Sequence, residues 1–343
     1  RSTLMVSGSA LSVSSTSIVI GRASGTFTLA ETLNISASPV GTLTAQGVNS
    51  SLALKLPAGR VLDLNGATVI WAGITGQTLD TDGAALIGWD ATVGGTLRNG
   101  ILRGPATRVL PGARANGSNR LLSLQANGVT FAGLLEDLTL YDGPNQALTI
   151  YNINGLTVRR VTTPRPSVAS PASSGFLGHY IDLDVSANNR LSQAIVFDTC
   201  DLDSFGHECL KMENVTNIRI NGTRMRNYVT LVQDVNPYSS FSDVEFDANC
   251  RFDSYVIAAN LKRQGVSGVY GNGGAGTLKI RGRFVGDDAL IFGGDSTVGT
   301  GDTNANQFAG LTAELCSFEG KNSHLVPVSG AAWITQSSGV KSK

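Results

Sequence analysis

The chain has 343 residues, with 26 Lys plus Arg against 26 Asp plus Glu, so its net charge is zero and its charged fraction only 15%; this excludes a nucleic-acid binder working by bulk charge. Apolar residues make up 41% of it, yet no uninterrupted apolar run approaches the roughly eighteen residues of a membrane span, and a soluble chain is expected. The 41 glycines, set among abundant Ser, Thr and Asn without the Ala, Leu, Glu and Lys enrichment of helical proteins, point to a β-rich chain with many turns.

The chain opens at Arg1 without Met, and no charged segment followed by an apolar one precedes a cleavage site, which reads as a processed or trimmed product. Residues 1–50 alternate Ser, Thr, Val and Gly (SVSSTSIVI, GTFTLAETLNISAS) and read as strands forming an N-terminal cap or first coils, since an uncovered sheet edge invites aggregation. From 51 the strands are clearer but irregular: LALKLPAGRVLDLNGATVIWAG, ALIGWDATVGGTLRNGILRG and LLSLQANGVTFAGLLEDLTLYDG. Beyond these, two families of short strands interleave. The first is LTVRRVT at 156, IVFDTCDL at 195, IRINGTRM at 218, VEFDANCRF at 244, LKIRGRF at 278 and LTAELCSF at 311; the second is ALTIYN at 147, YIDLDV at 180, CLKMEN at 209, VTLVQD at 229, YVIAAN at 255 and ALIFGG at 289. Segments 162–175, 265–277 and 293–307 are rich in Pro or Gly and read as loops. The repeats span 51–320, and 321–343 form a C-terminal tail without heptads.

Repeats of this length that alternate apolar and polar residues predict an all-β solenoid, in which equivalent positions stack about 4.8 Å apart. Leu156 and Val158, Ile195 and Phe197, Ile218 and Ile220, Val244 and Phe246, and Leu278 and Ile280 face inward, and a polar bend follows each pair at Arg159, Asp198, Asn221, Asp247 and Arg281. Cys200, Cys250 and Cys316 each follow a bend and precede Leu202, Phe252 and Phe318 by two residues, with Thr223 and Met225 in the same slots of another coil. These cysteines read as buried small residues of a stack, without disulfides or metal.

The run PAGRVLDLNGATVIW, TLRNGILRG, ALTIYNINGLTVRRVT and YIDLDV…AIVFDTCDLDSFGHECLKMENVTNIRINGT resembles the right-handed parallel β-helix superfamily of pectate lyases, polygalacturonases and phage tailspikes, over roughly residues 50–318. The resemblance implies a single-domain right-handed parallel β-helix and leaves the chemistry open among lyases, hydrolases, epimerases and noncatalytic spikes. Polygalacturonases carry Gly-Asp-Asp before an apolar strand. The corresponding place here reads Gly206-His207-Glu208-Cys209-Leu210, while a literal Gly286-Asp287-Asp288 falls in a different coil.

Only three His occur, and His179 and His207 lie at the entry to neighbouring strands of the second family. If Leu183 stacks on Leu210, Tyr180 lies beside His207 and Asp184 beside Lys211. His179, Tyr180, Asp182, Asp184, His207, Glu208 and Lys211 then form one polar surface. Such groups suit β-elimination on a uronic acid polymer, with Glu208 and His207 in proton transfer, Lys211 offsetting charge and Asp182 or Asp184 orienting. Hydrolysis would need two carboxylates, about 5 to 5.5 Å or about 6.5 to 9.5 Å apart, and Asp182 with Glu208 is a candidate pair. The same residues also serve as strand-end caps or as a surface ion pair. Arg219, Arg224, Arg226, Tyr228, Asp287 and Asp288 are candidate substrate-binding residues; the arginines equally fit a solvated sheet face and the aspartates a turn. No cofactor or metal is expected: Ca²⁺ would suit the carboxylates, but no motif indicates it. The expected partner is a polysaccharide substrate or receptor glycan, met outside the cell or on a virion, with a homotrimer if the chain is a tailspike.

Overall fold

A computed structural model describes the backbone of strands between Ser2 and Ser342 and, with their side chains, chiefly residues 94–103, 121–124, 132–141, 147–164, 191–203, 209–212, 215–226, 243–253 and 279–283. Among the described residues the fold is all-β, with no helix. The chain begins antiparallel: Ser2–Val6 pairs with Ser9–Val13, which pairs with Ser17–Ile20. Ser17–Ile20 then runs parallel to Val61–Asp63, and Leu33–Ile35 parallel to Thr68–Trp71. From Val61 onward the described strands pair in parallel, successive rungs lying side by side as in a β-solenoid.

The first strand family takes the expected register. Leu156, Ile195, Ile218, Val244, Leu278 and Leu311 are successive partners, and Val158, Phe197 and Ile220 follow two residues on. The described members of both columns are buried, whereas the residues between them are partly exposed. Beyond the bend a third column follows, on separate short strands for Thr163, Leu202, Met225 and Phe252 and on the continuing strands Leu278–Val285 and Leu311–Glu319 for Phe284 and Phe318. Phe246 and Phe252 meet across the bend, ring centroids 5.4 Å apart and tilted by 53°.

The bends repeat because one backbone conformation repeats. Asn99, Asp137, Arg160, Thr199 and Gly222 all have φ between 50° and 67°, and each immediately precedes a buried residue. A second set, Ala132, Asn217, Asp243 and Ala194, has φ between 50° and 53° just before the first inward residue of its rung. Left-handed backbone is uncommon outside Gly, so its recurrence at two places marks corners shared by several of the described rungs. Outside these corners, opposite charges face each other on successive rungs. Arg159 reaches Glu136 and Asp198, and Arg160 reaches Glu136 and Asp137. The Arg160 hydrogen bond holds the Asp137 carboxyl below its usual range, but pairs this exposed contribute little.

Cys200 and Cys250 take the expected buried positions, and the Cys316 side chain lies outside the described residues. Cys200, Cys209 and Cys250 are free and buried. Cys200 and Cys250 donate to the carbonyls of Val158 and Ile220 at 3.3 and 3.2 Å. Burial pushes the Cys200 thiol up to about 11 and the Cys250 thiol up to about 12, and pushes Cys209 further still, assisted by the charge of Asp203. In the unfolded chain these thiols ionise near 9. Their contribution is therefore intact below that pH and is lost as pH rises through the folded values, at about 1.4 kcal/mol per pH unit per thiol. Denaturant midpoints taken between about pH 8 and about pH 10.5 should fall less steeply for Cys200→Ala than for the parent chain; parallel slopes would contradict the assignment.

Two segments read as loops contain strands. Thr162–Thr163 forms the short strand of its rung, because Thr163 is fully buried and exchanges hydrogen bonds with Asp203. Val266–Gly271 pairs with Tyr228–Val232 on one side and Asp288–Ile291 on the other, filling the rung expected of YVIAAN. Residues 255–260 and 293–307 lie outside the described residues.

Candidate functional site

The second strand family forms an eleven-stranded sheet, parallel except where Gly41–Ala45 meets Val48–Leu56. Its apolar columns are Ile87, Leu122, Leu148, Ile181, Leu210, Val229 and Val269, and Leu124, Ile150, Leu183, Met212 and Leu231. Between them runs a polar column of Ser123, Thr149, Asp182, Lys211, Thr230 and Tyr270. Ser123 and Thr149 are completely buried, whereas Lys211 is partly exposed two rungs later.

This register corrects the expected one by two residues. Ile181, not Leu183, is the partner of Leu210, so Asp182, not Asp184, is the neighbour of Lys211. The reason is that both apolar columns must fill together. Ile181 sits between Leu148 and Leu210 while Leu183 sits between Ile150 and Met212, and a slip of two would leave one residue of each strand without its partner.

Glu208 opens its strand as the partner of Tyr228, and Leu210 is the partner of Val229. Two steps on one strand therefore match one step on the other, and Cys209 is the extra residue of a β-bulge. Bulges re-aim neighbouring side chains and break the flat alternation of a sheet. Here the bulge separates the Glu208 position from the Asp182–Lys211 pair on the same two rungs. Asp182, Glu208 and Tyr228 are described in their backbone only; His179, Tyr180, Asp184, His207 and Asp287 lie outside the described residues. Asp288 begins a strand paired to Val266–Gly271, three rungs beyond Glu208–Glu213, and does not join this group.

Arg219, Arg224 and Arg226 stand elsewhere, on the sheet of the first strand family. Arg219 makes a two-oxygen pair with Asp243, both contacts at 2.9 Å. Arg224 donates its Nε to Asp253 at 2.6 Å. Arg226 donates to Asp201 at 2.6 Å and reaches Asp203 at 3.4 Å, the Asp203 side chain being only 1% exposed. Arg251 donates its Nε to the second oxygen of Asp253 at 2.6 Å. Asp201, Asp203, Arg251 and Asp253 escaped the sequence reading. Their signal is the alignment of DLD at 201, RMR at 224 and RFD at 251, which flank the apolar stack residues Leu202, Met225 and Phe252.

Among the described residues no group of three or more His, Cys, Asp or Glu is arranged to hold a metal ion. Comparisons with protein-family models, with curated proteins and with solved structures return no match to the chain.

Proposed function

We propose that the chain is a right-handed parallel β-helix that cleaves an acidic polysaccharide, by β-elimination in preference to hydrolysis. The observation that carries this reading is the pairing of Asp182 with Lys211 on adjacent rungs, with Glu208 at the bulged end of the same strand and Tyr228 beside it. An ammonium group held on a parallel sheet can offset the carboxylate of a uronate as negative charge develops at C5. Glu208, with His207 before it, supplies proton transfer: a base takes the C5 proton, the C–H electron pair becomes the C4–C5 double bond, and the C4–O bond breaks. The leaving oxygen takes a proton from an acid, for which Tyr228 and His207 are the candidates. Asp182 orients Lys211. Hydrolysis by Asp182 and Glu208 would use the same rungs with water as the nucleophile.

The test follows unsaturated-uronate absorbance and reducing ends together on polygalacturonate, alginate and neutral glucans. Both signals should rise on an acidic polymer and fall by about 100-fold or more in Glu208→Gln. Reducing ends without absorbance would mean hydrolysis. Neither signal on any polymer would overturn cleavage and leave glycan binding without turnover, as in a tailspike or adhesin.

A further inference from the structure

The outer face of the third column's strands carries positive charge on three adjacent rungs. Asp201, Arg224, Arg251, Arg283, Ser317 and Lys341 are successive register partners. Met225 and Phe252, the neighbours of Arg224 and Arg251 along their strands, are fully buried, so the arginines point outward, and Arg283 is exposed. Three guanidiniums thus stand on three adjacent rungs about 4.8 Å apart, a spacing at which like charges repel.

For Arg224 and Arg251 the offset is partial. Arg224 and Arg251 each give their Nε to a different oxygen of Asp253, which is nearly buried beneath them. Asp201, beside Arg224, is held by Arg226. Among the described residues the outer Nη groups of Arg224 and Arg251 make no hydrogen bond, so both present paired donors to solvent on side chains about two-fifths exposed. Asp253 orients both planes by their inner edge. A fork of this kind matches a carboxylate with two parallel hydrogen bonds.

We propose that Arg224, Arg251 and Arg283 form a noncatalytic stripe that binds an acidic polysaccharide along the stacking axis. A polyuronate carries one carboxylate per sugar, turned about the chain from one sugar to the next, so its charge density along one side is low, which suits a row of three guanidiniums flanked by Asp201 and Asp253. A nucleic acid duplex carries a charge every ~1.7 Å, a poor match to this row with Asp201 and Asp253 beside it. The aromatic neighbour Phe252 is buried under the sheet, where no base could stack on it. The inference takes its ligand class from the proposed function but needs no turnover, because the stripe lies on a different sheet from Asp182 and Lys211.

The experiment measures binding of polygalacturonate oligosaccharides by affinity electrophoresis and calorimetry at two salt concentrations. Glu208→Gln serves as the parent so that cleavage does not interfere. Arg224→Gln/Arg251→Gln/Arg283→Gln should weaken binding about tenfold or more and flatten its salt dependence. Arg283→Gln alone, which leaves Asp253 with both of its arginines, should weaken it measurably, and the triple Lys variant should keep the salt dependence while losing affinity. Binding unchanged in every variant would overturn the stripe, as would equal, arginine-dependent binding of single-stranded DNA. Stripe-dependent binding without any cleavage by the unmodified chain would sink the enzyme reading and leave the stripe standing.

Discussion

Gly282→Ala should destabilise the C-terminal rungs by about 3 kcal/mol or more, as strain and overpacking act together. Gly282 has φ +129°, a region that L side chains rarely adopt, and a methyl group there would lie 2.5 Å from the Cys250 carbonyl oxygen. That oxygen accepts the Arg283 amide at 2.9 Å, so the obstacle is a backbone atom fixed by the ladder itself. The position belongs to the small-residue stack, between Cys250 and Cys316. Gly222→Ala is the matched control. Gly222 has φ +51°, and the nearest atom to an added methyl is the Thr199 hydroxyl oxygen at 3.8 Å, so only left-handed backbone cost remains, about 1 kcal/mol. Because each rung contacts mainly its neighbours, hydrogen exchange in Gly282→Ala should accelerate first over Arg251–Asp253 and Leu311–Glu319. Equal midpoints for the two variants would contradict the stacking of Gly282 on Cys250.

Arg226→Met should cost about 3 kcal/mol or more, because it removes the guanidinium between two carboxylates, one of them almost completely buried. Asp201 and Asp203 lie two residues apart on one rung and point to the same side, and the Asp201 Oδ1 is already shielded from water without a hydrogen bond among the described residues. Met fills much of the same volume, so the loss reports charge and hydrogen bonding more than packing. Adding Asp201→Asn and Asp203→Asn to Arg226→Met should restore most of the stability. Chemical denaturation of the three chains is the measurement, and a triple variant no better than Arg226→Met would show that the loss comes from packing.

The first strand family was legible down to its register because each rung carries several signals at fixed offsets. Two apolar residues, a polar bend, a small residue and a large apolar one follow in order, as in Ile195, Phe197, Asp198, Cys200 and Leu202. Only one alignment satisfies all of them. The second family offers less. YIDLDV supplies Ile181 and Leu183 with equal parity, and a slip of two residues preserves which side faces inward; matching both columns at once fixes the register, and single-strand periodicity does not do this. Val266–Gly271 was obscured by its glycines, which read as loop although Val269 is the register partner of Val229. The arginine and aspartate grid joins residues 23 to 29 apart through ion pairs, and the unequal rung lengths conceal that alignment in the linear sequence. The Asp182–Lys211 neighbourhood was half legible: the strands and the residue types were evident, and the partner aspartate was misassigned by the same two-residue slip.

The most direct test of the functional account is the steady-state rate of Lys211→Met on the acidic polymer cleaved by the unmodified chain, beside Lys211→Arg and with thermal unfolding measured on all three. Lys211→Met should lose about 100-fold or more in kcat/KM with its unfolding midpoint little changed, and Lys211→Arg should keep part of the activity. Full activity in a folded Lys211→Met chain would contradict the account.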